Sequence, residues 1–409
     1  MRVLIISQYF WPESFRINDL ALGLKERGHD IEVLTGIPNY PSGKIFPGYG
    51  FFKKLNEDYH GVKVHRVPLI PRYNGKSWNL VLNYISFTLF SCFSVLFYLI
   101  RKYDLIFVCQ YSPVTVGLPA VIIKKIKKTP ILFWVQDLWP ESLSATGAVK
   151  SSIILNIVRK FVCFIYNNCD RILIQSKAFL SYLKNEGIHE TRICYFPNWA
   201  EELYQPILQE AEKLPTEINL PGGFRIMFAG NIGTAQDFRT ILTAAELLRD
   251  NSKIHWLILG EGRMSKWVEE QISKRGLSEV FHMLGKHPVE EMPSYFSLAD
   301  TMLVTLKREP IFALTIPSKV QSYLACGKPI IAALDGEGAR IIEESGAGLV
   351  CPAEDPERLA QIVLEMYRKS HNERIEMGLL GRKYYETNFE RKMLINHLEN
   401  WMQEMVTIL

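Results

Sequence analysis

Four short turns in the second half of the chain combine glycine with polar or cationic residues, each beside an apolar, β-branched run. Gly230-Asn231-Ile232-Gly233 follows the run at 225–229, Gly260-Glu261-Gly262 the run at 254–259, and Gly285-Lys286-His287 the run at 280–284. In the fourth, Pro317-Ser318-Lys319 opens a helical pattern that ends in Ala325-Cys326-Gly327-Lys328-Pro329. Glycine brings backbone N–H groups close to a ligand, and a helix N-terminus favours an anion. Pro317 suits the helix start, Ser318 can cap it, and Lys319 adds a cation there. Any one of these turns is equally well a tight structural bend. Four on one edge of one sheet point to a nucleotide diphosphate, with Gly230, Asn231, Ile232, Gly233, Glu261, Gly285, Ser318 and Lys319 as its contacts. His287 is a contact to base or phosphate, or a solvent-facing turn residue.

In the first half the best isolated carboxylate is Asp137, at the end of the apolar run Phe133-Trp134-Val135-Gln136. It either orients a substrate hydroxyl or caps the helix that follows. Glu13 and Glu141 each follow a Trp-Pro pair and belong near the same edge. There is no D-x-D and no His/Cys cluster at ligand spacing, so a bound metal is not expected.

These residues need elements to hold them. Short β-branched runs alternate with helical patterns, the mark of parallel sheets built from βαβ units. Strands are expected at 2–7, 30–35, 62–67, 104–109, 131–136, 171–176 and 193–196, then at 225–229, 254–259, 280–284, 301–306, 329–333 and 348–351. The fold class is therefore α/β, with two doubly wound domains at 1–200 and 222–385, an acidic linker at 201–221, and an amphipathic helix at 386–409 that must dock elsewhere. Residues 36–60, rich in Gly, Pro and aromatics, read as a long functional loop.

The length of 409 residues and 48% hydrophobic composition exclude disorder, collagen and coiled coil. Seven cysteines, an odd number without a C-x-x-C, argue for a reducing compartment. The net charge of +4 hides an asymmetry, because residues 1–200 hold 24 Lys+Arg against 13 Asp+Glu. The clusters Arg101-Lys102 and Lys124, Lys125, Lys127, Lys128 lack the aromatic interleaving of a nucleic-acid site, so an anionic membrane surface is expected. A solvated basic face is the plainer alternative. Residues 77–100 carry no charge and are long enough to span a bilayer. A crossing would divide one sheet between two compartments, so a helix packed on the sheet with its outer face in lipid is preferred over a spanning or a purely buried one.

The order G-N-I-G, L-G-E-G, L-G-K-H, S-L-A-D and P-S-K-V-Q-S-Y-L-A-C-G-K-P-I resembles the nucleotide-sugar domain of family 4 retaining glycosyltransferases. S-Q-Y-F-W-P-E, F-R-I-N-D-L-A and V-Q-D-L-W-P-E resemble the acceptor domain of its bacterial surface-polysaccharide subset, including L-fucosamine transferases. The resemblance implies a GT-B fold of two Rossmann-like domains facing across a cleft, with a C-terminal helix returning to the first. It implies a UDP-sugar donor, no cofactor, a lipid-linked glycan acceptor, and a place on the cytoplasmic face of the bacterial membrane.

Departures from the pattern move the candidates. The family's glutamate pair falls on Leu314 and Ser322, so Gln321, Ser322 or Glu309 must replace the carboxylate on the ribose. The first-strand turn reads Trp11-Pro12-Glu13-Ser14 in place of paired glycines. Lys319 and Arg16 become candidates for the donor diphosphate, Arg16 equally for an acceptor phosphate, with Glu13, Ser14 and Glu141 beside it. The family's His-Asp pair falls on Gln136 and Asp137. The expected reaction is transfer of an N-acetylated deoxyhexosamine such as N-acetyl-L-fucosamine, the departing phosphate taking the acceptor proton. A UDP-sugar epimerase and a non-catalytic membrane scaffold are the alternatives.

Overall fold

The computed structural model describes residues 1–73, 77–145, 149, 151–207 and 220–407. Most of the expected linker, 208–219, lies outside them. Two units are present, Met1–Pro197 with Lys392–Leu409, and Asn198–Arg391.

The first unit is built on eight strands: β1 (Arg2–Ile6), β2 (Asp30–Gly36), β3 (Asn56–Tyr59), β4 (Val62–Val67), β5 (Leu105–Gln110), β6 (Ile131–Val135), β7 (Arg171–Ile174) and β8 (Ile193–Tyr195). Their order is β3-β4-β2-β1-β5-β6-β7-β8. Every neighbour pair is parallel except β3 with β4. The apolar runs of β1, β5 and β6 are buried on both faces, as central parallel strands must be. β3 falls inside the segment expected as loop. Its sequence Asn-Glu-Asp-Tyr has no β-branched residue, because an edge strand exposed on alternate residues needs none.

The helix Ser77–Tyr98 joins β4 to β5 of this one sheet, so it lies along the sheet and does not divide it. Its inward face mixes polar groups with Phe87, Val95 and Tyr98, while its outward face is apolar. Asn83, Ser86, Thr88 and Ser91 face inward, whereas Trp78, Ile85, Leu89, Phe93, Leu96 and Phe97 are exposed. Asn83 bonds Gln8 at 2.7 Å and Thr88 bonds Thr115 at 2.7 Å, so the buried polar groups are paired. The helix Leu118–Lys127 lies next to it and the helix Ser152–Asn168 beyond, the latter exposing Ile153, Ile154 and Ile157. Within the basic clusters Lys124 is bound to Asp170 at 2.7 Å and Arg101 to buried Glu32 at 2.6 Å. Lys102, Lys125, Lys127 and Lys128 remain on the surface.

The helix Arg391–Thr407 closes the first unit, burying Leu394, Ile395, Leu398, Met402 and Met405. Asn396 accepts from Arg27 at 2.6 Å, and Glu399 pairs with His29 at 2.8 Å.

The second unit carries β9 (Phe224–Ala229), β10 (Ile254–Leu259), β11 (Phe281–Gly285), β12 (Thr301–Thr305), β13 (Ile330–Ala333) and β14 (Gly348–Cys351), all parallel, in the order β11-β10-β9-β12-β13-β14. Alternation sorts the side chains into two cores: Ile226, Phe228 and Trp256 on one face, Met227, Leu257 and Tyr323 on the other. In both sheets strand order reverses at the first strand, between β1 and β5 and between β9 and β12. Ligands of open α/β sheets bind beyond the strand carboxyl ends at such points.

Candidate functional site

In the second unit the strand-end turns interlock. Ile232 N–H donates to the Glu261 carbonyl at 3.0 Å, and Gly260 N–H to the Gly285 carbonyl at 2.7 Å. Gly230 and Gly260 both have φ of +133°. A Cβ on Gly260 would lie 1.9 Å from the Gly230 carbonyl oxygen, and one on Gly262 2.2 Å from that of Ile232. Backbone presses on backbone here, so no side chain fits. Gly260→Ala is accordingly expected to destabilise the protein by about 3 kcal/mol or more, combining strain and clash. Denaturant unfolding measures it, and an unchanged midpoint would refute the close approach.

The same bonds revise the phosphate cradle. Gly230 N–H donates to the Leu259 carbonyl, Ile232 N–H to Glu261, and Gly233 N–H to the Gln236 side chain at 3.2 Å. The Gly230-Asn231-Ile232-Gly233 turn is thus a rigid floor with three of its N–H groups already engaged.

Lys319 stands on that floor. Its amine lies 3.5 Å from the centre of the Phe228 ring, and a Cβ on Gly230 would come within 2.7 Å of its Cε. Among the described residues no carboxylate lies within ion-pairing distance of it. Desolvation pushes the amine down to about 7. A half-buried amine held over an aromatic face, with no counter-ion among the described residues, is placed to receive an anion.

Other candidates around it are corrected. Pro317 is the cap of the helix Ser318–Ala325, so Ser318 is its first helical residue and does not cap it. Gln321 is 1% exposed and donates to the Asn198 carbonyl at 2.6 Å, which turns that amide nitrogen away from any ligand. Ser322 bonds back to the Ser318 carbonyl at 3.2 Å. His287 has both ring nitrogens engaged, Nδ1 with the Tyr295 hydroxyl at 2.7 Å and Nε2 with the Leu284 carbonyl at 2.9 Å, so it braces its turn. Glu261 and Glu309 are exposed. Tyr323, not singled out from the sequence, bonds both the N–H and the carbonyl of Ala229 and fixes the end of β9. A cavity of about 920 Å³, lined in part by Arg225, Asp300, Lys328 and Arg374, lies by the strand amino ends of this unit.

In the first unit the turn after β1 is organised by Glu13. Its buried carboxylate accepts the N–H groups of Asn39 and Tyr40, each at 2.7 Å, and burial raises it to about 7. The expected acceptor contact at Glu13 is therefore a positioning group, tying residues 36–43 to β1. Its raised pKa means the folded chain holds more protons than the unfolded one between pH 4.5 and 7, so stability falls as pH rises through that window. Glu13→Gln, which keeps an acceptor oxygen, is expected to flatten this fall. Glu13→Ala leaves two N–H groups unbonded and should cost roughly 2–4 kcal/mol at pH 6. Unfolding curves from pH 5 to 8 decide between these outcomes.

Around Glu13 the aromatics close up. Tyr9 stacks on Phe15 at 4.9 Å, Phe15 meets Tyr111 at 4.7 Å, and Tyr9 meets Tyr40 at 5.6 Å. Tyr111 accepts the Ile17 N–H at the start of the helix Arg16–Glu26, whose first residue is Arg16; Ser14 is exposed before it. Across β5, Asp137 is pushed up to about 6, desolvation outweighing hydrogen bonds from Ser142 and Trp139. Gln110 donates to the Asp137 carbonyl at 2.8 Å and holds it at the strand end. The Asp137 carboxylate accepts from the Trp139 indole N–H at 3.3 Å and from the Ser142 side chain in the following helix, Glu141–Ala145. Glu141 pairs with Arg159 at 3.0 Å and with the Tyr182 hydroxyl, so it is no free base. No three His, Cys, Asp or Glu among the described residues are grouped to hold a metal ion.

Two parallel-sheet α/β units of this kind define the GT-B class. Solved structures agree over the full chain: that of Anabaena Alr3699/HepE in complex with UDP covers 99% of this chain and 100% of its own, with a TM-score of 0.74 at 15% identity. Sucrose-phosphate synthase from Thermosynechococcus elongatus covers 100% of both, with a TM-score of 0.74 at 15% identity. Residues 14–199 match the family "Glycosyl transferase 4-like domain", and 211–383 match "Glycosyl transferases group 1". The first half of the chain thus matches one glycosyltransferase family and the second half another, and together the two matches span most of the chain. The probable glycosyltransferase WbjE of Pseudomonas aeruginosa is 31% identical over 242 residues, 57% of this chain and a little over half, 58%, of that protein. The putative colanic acid biosynthesis glycosyl transferase WcaI of Escherichia coli K12 is 24% identical over 339 residues, 80% of this chain and 82% of that protein.

Proposed function

We propose that this chain transfers a sugar with retention from a UDP-sugar to a polyprenyl-diphosphate-linked glycan during O-antigen, capsule or exopolysaccharide assembly. The sugar is an N-acetylated deoxyhexosamine such as N-acetyl-L-fucosamine. The observation that carries the reading is Lys319, a half-buried amine over the Phe228 ring at the β9 strand end, with no counter-ion among the described residues. The uridine assignment draws on Alr3699/HepE, solved with UDP, and the polysaccharide assignment on WcaI.

In this reading Lys319 takes the negative charge that develops on the leaving diphosphate. The acceptor hydroxyl attacks the anomeric carbon, the bond to the diphosphate oxygen breaks, and the departing phosphate receives the hydroxyl proton on the same face. Asp137, raised to about 6 and so mostly ionised at physiological pH, accepts a hydrogen bond from a substrate hydroxyl and orients it. No step calls on a metal or cofactor. The protein works on the cytoplasmic face of the membrane, resting on the exposed apolar side of Ser77–Tyr98 with Lys102, Lys125, Lys127 and Lys128 toward anionic headgroups.

Calorimetry of the full chain with UDP, GDP, ADP, TDP and CMP tests the donor class. Micromolar UDP binding with the others at least tenfold weaker is expected; binding of none of the five would overturn it.

A further inference from the structure

Arg72 lies near the start of the apolar helix Ser77–Tyr98, in the segment after β4. Its guanidinium lies 5.0 Å from the Tyr40 ring centre and 5.9 Å from that of Tyr9, with a long 3.4 Å contact from Nη1 to the Tyr9 hydroxyl. Among the described residues it has no carboxylate partner, unlike Arg66 with Glu57 or Arg101 with Glu32. The two rings hold the cation without neutralising it and leave most of its five donors free.

The setting is built. Glu13 fixes the backbone of Asn39 and Tyr40, and the Asn39 side chain accepts the Arg72 N–H at 3.1 Å. Two residues earlier, Ile70 is tied to the apolar helix, its N–H donating to Ser86 at 2.9 Å and its carbonyl accepting from Asn83 at 2.6 Å. That helix opens with Trp78, 69% exposed, and carries its exposed apolar row onward through Val81 and Ile85. An unneutralised guanidinium beside the head of an apolar track matches a ligand that is anionic at one end and hydrocarbon at the other.

We infer that Arg72 binds the diphosphate of the lipid-linked acceptor, with the polyprenyl chain leaving along the exposed face of Ser77–Tyr98. The inference rests on the proposed acceptor class and moves the acceptor-phosphate role from Arg16 to Arg72. A planar guanidinium can meet two phosphate oxygens at once while stacked on the tyrosines, which a lysine amine cannot.

The test is calorimetry on the full chain with farnesyl diphosphate, with farnesol as tail control, at saturating UDP to block Lys319. Wild type is expected to bind farnesyl diphosphate at least tenfold more tightly than farnesol. Arg72→Gln should weaken farnesyl diphosphate about 10- to 100-fold while leaving farnesol and UDP binding unchanged, and Arg72→Lys should recover only part of the loss. UDP binding in the variants reports that they are folded. If wild type discriminates but both variants match it, the assignment of Arg72 is wrong and the acceptor class survives. If wild type binds the two probes alike, the acceptor class falls and the inference with it.

Discussion

Lys319→Ala is expected to weaken UDP binding by at least tenfold and to lower sugar transfer by roughly 10²–10³, the scale of losing one charge-stabilising group at a leaving oxygen. The loss should fall on turnover more than on the fold, since the amine packs on Phe228 and beside Gly230, and among the described residues it holds no backbone group that would be orphaned. The pH dependence carries a second signature. Burial holds the empty-site amine near 7, and a diphosphate binds its protonated form. UDP affinity should therefore decline as pH rises above 7, and binding there should take up a proton. Calorimetry in two buffers of different ionisation enthalpy reads that uptake directly. In Lys319→Ala the uptake should vanish; if it persists, another group is titrating.

The second large effect concerns the exposed side of Ser77–Tyr98. Phe93, Leu96 and Phe97 are 70%, 67% and 74% exposed. Replacing all three by serine removes, at roughly 1–2 kcal/mol each, the hydrophobic part of binding to a bilayer. Partitioning onto vesicles containing anionic lipid should drop about 10²–10⁴-fold, with the unfolding midpoint nearly unmoved because these side chains make little of the core. Replacing Lys125, Lys127 and Lys128 by glutamine should cost less and only at low salt, since surface charge is screened. Vesicle co-sedimentation distinguishes the two. Equal binding of wild type and the triple serine variant would show that the apolar face serves something other than lipid.

The sequence reveals what depends on residue type and spacing. Central strands such as β6 and β13 are apolar throughout because both faces are covered, so they stand out as runs. The glycine turns and Lys319 are legible in their order, because only glycine permits the contact between Gly230 and Gly260. The strand β3 is not, since Asn56–Tyr59 has an edge strand's polar composition.

Long-range partners are equally hidden. Gln321, Glu141 and Glu13 all have the chemistry of ligands, yet Asn198, Tyr182 and the backbone of residues 39–40 take them up. Nothing local in the chain announces those pairings. The helix 77–98 reads as apolar all round, and only the packed structure shows that its few polar residues face inward. Arg72 gives no local signal because the two tyrosines that hold it come from other segments.

The central claim is best tested by counting UDP released against sugar transferred, using a panel of UDP-N-acetylhexosamines and a polyprenyl-diphosphate-linked glycan presented in vesicles, with product mass read by mass spectrometry. UDP release is expected to require the acceptor and to add one hexosamine per UDP, and to be lost in Lys319→Ala. Conversion of the UDP-sugar without any acceptor, or no turnover by a chain that binds UDP, would contradict it.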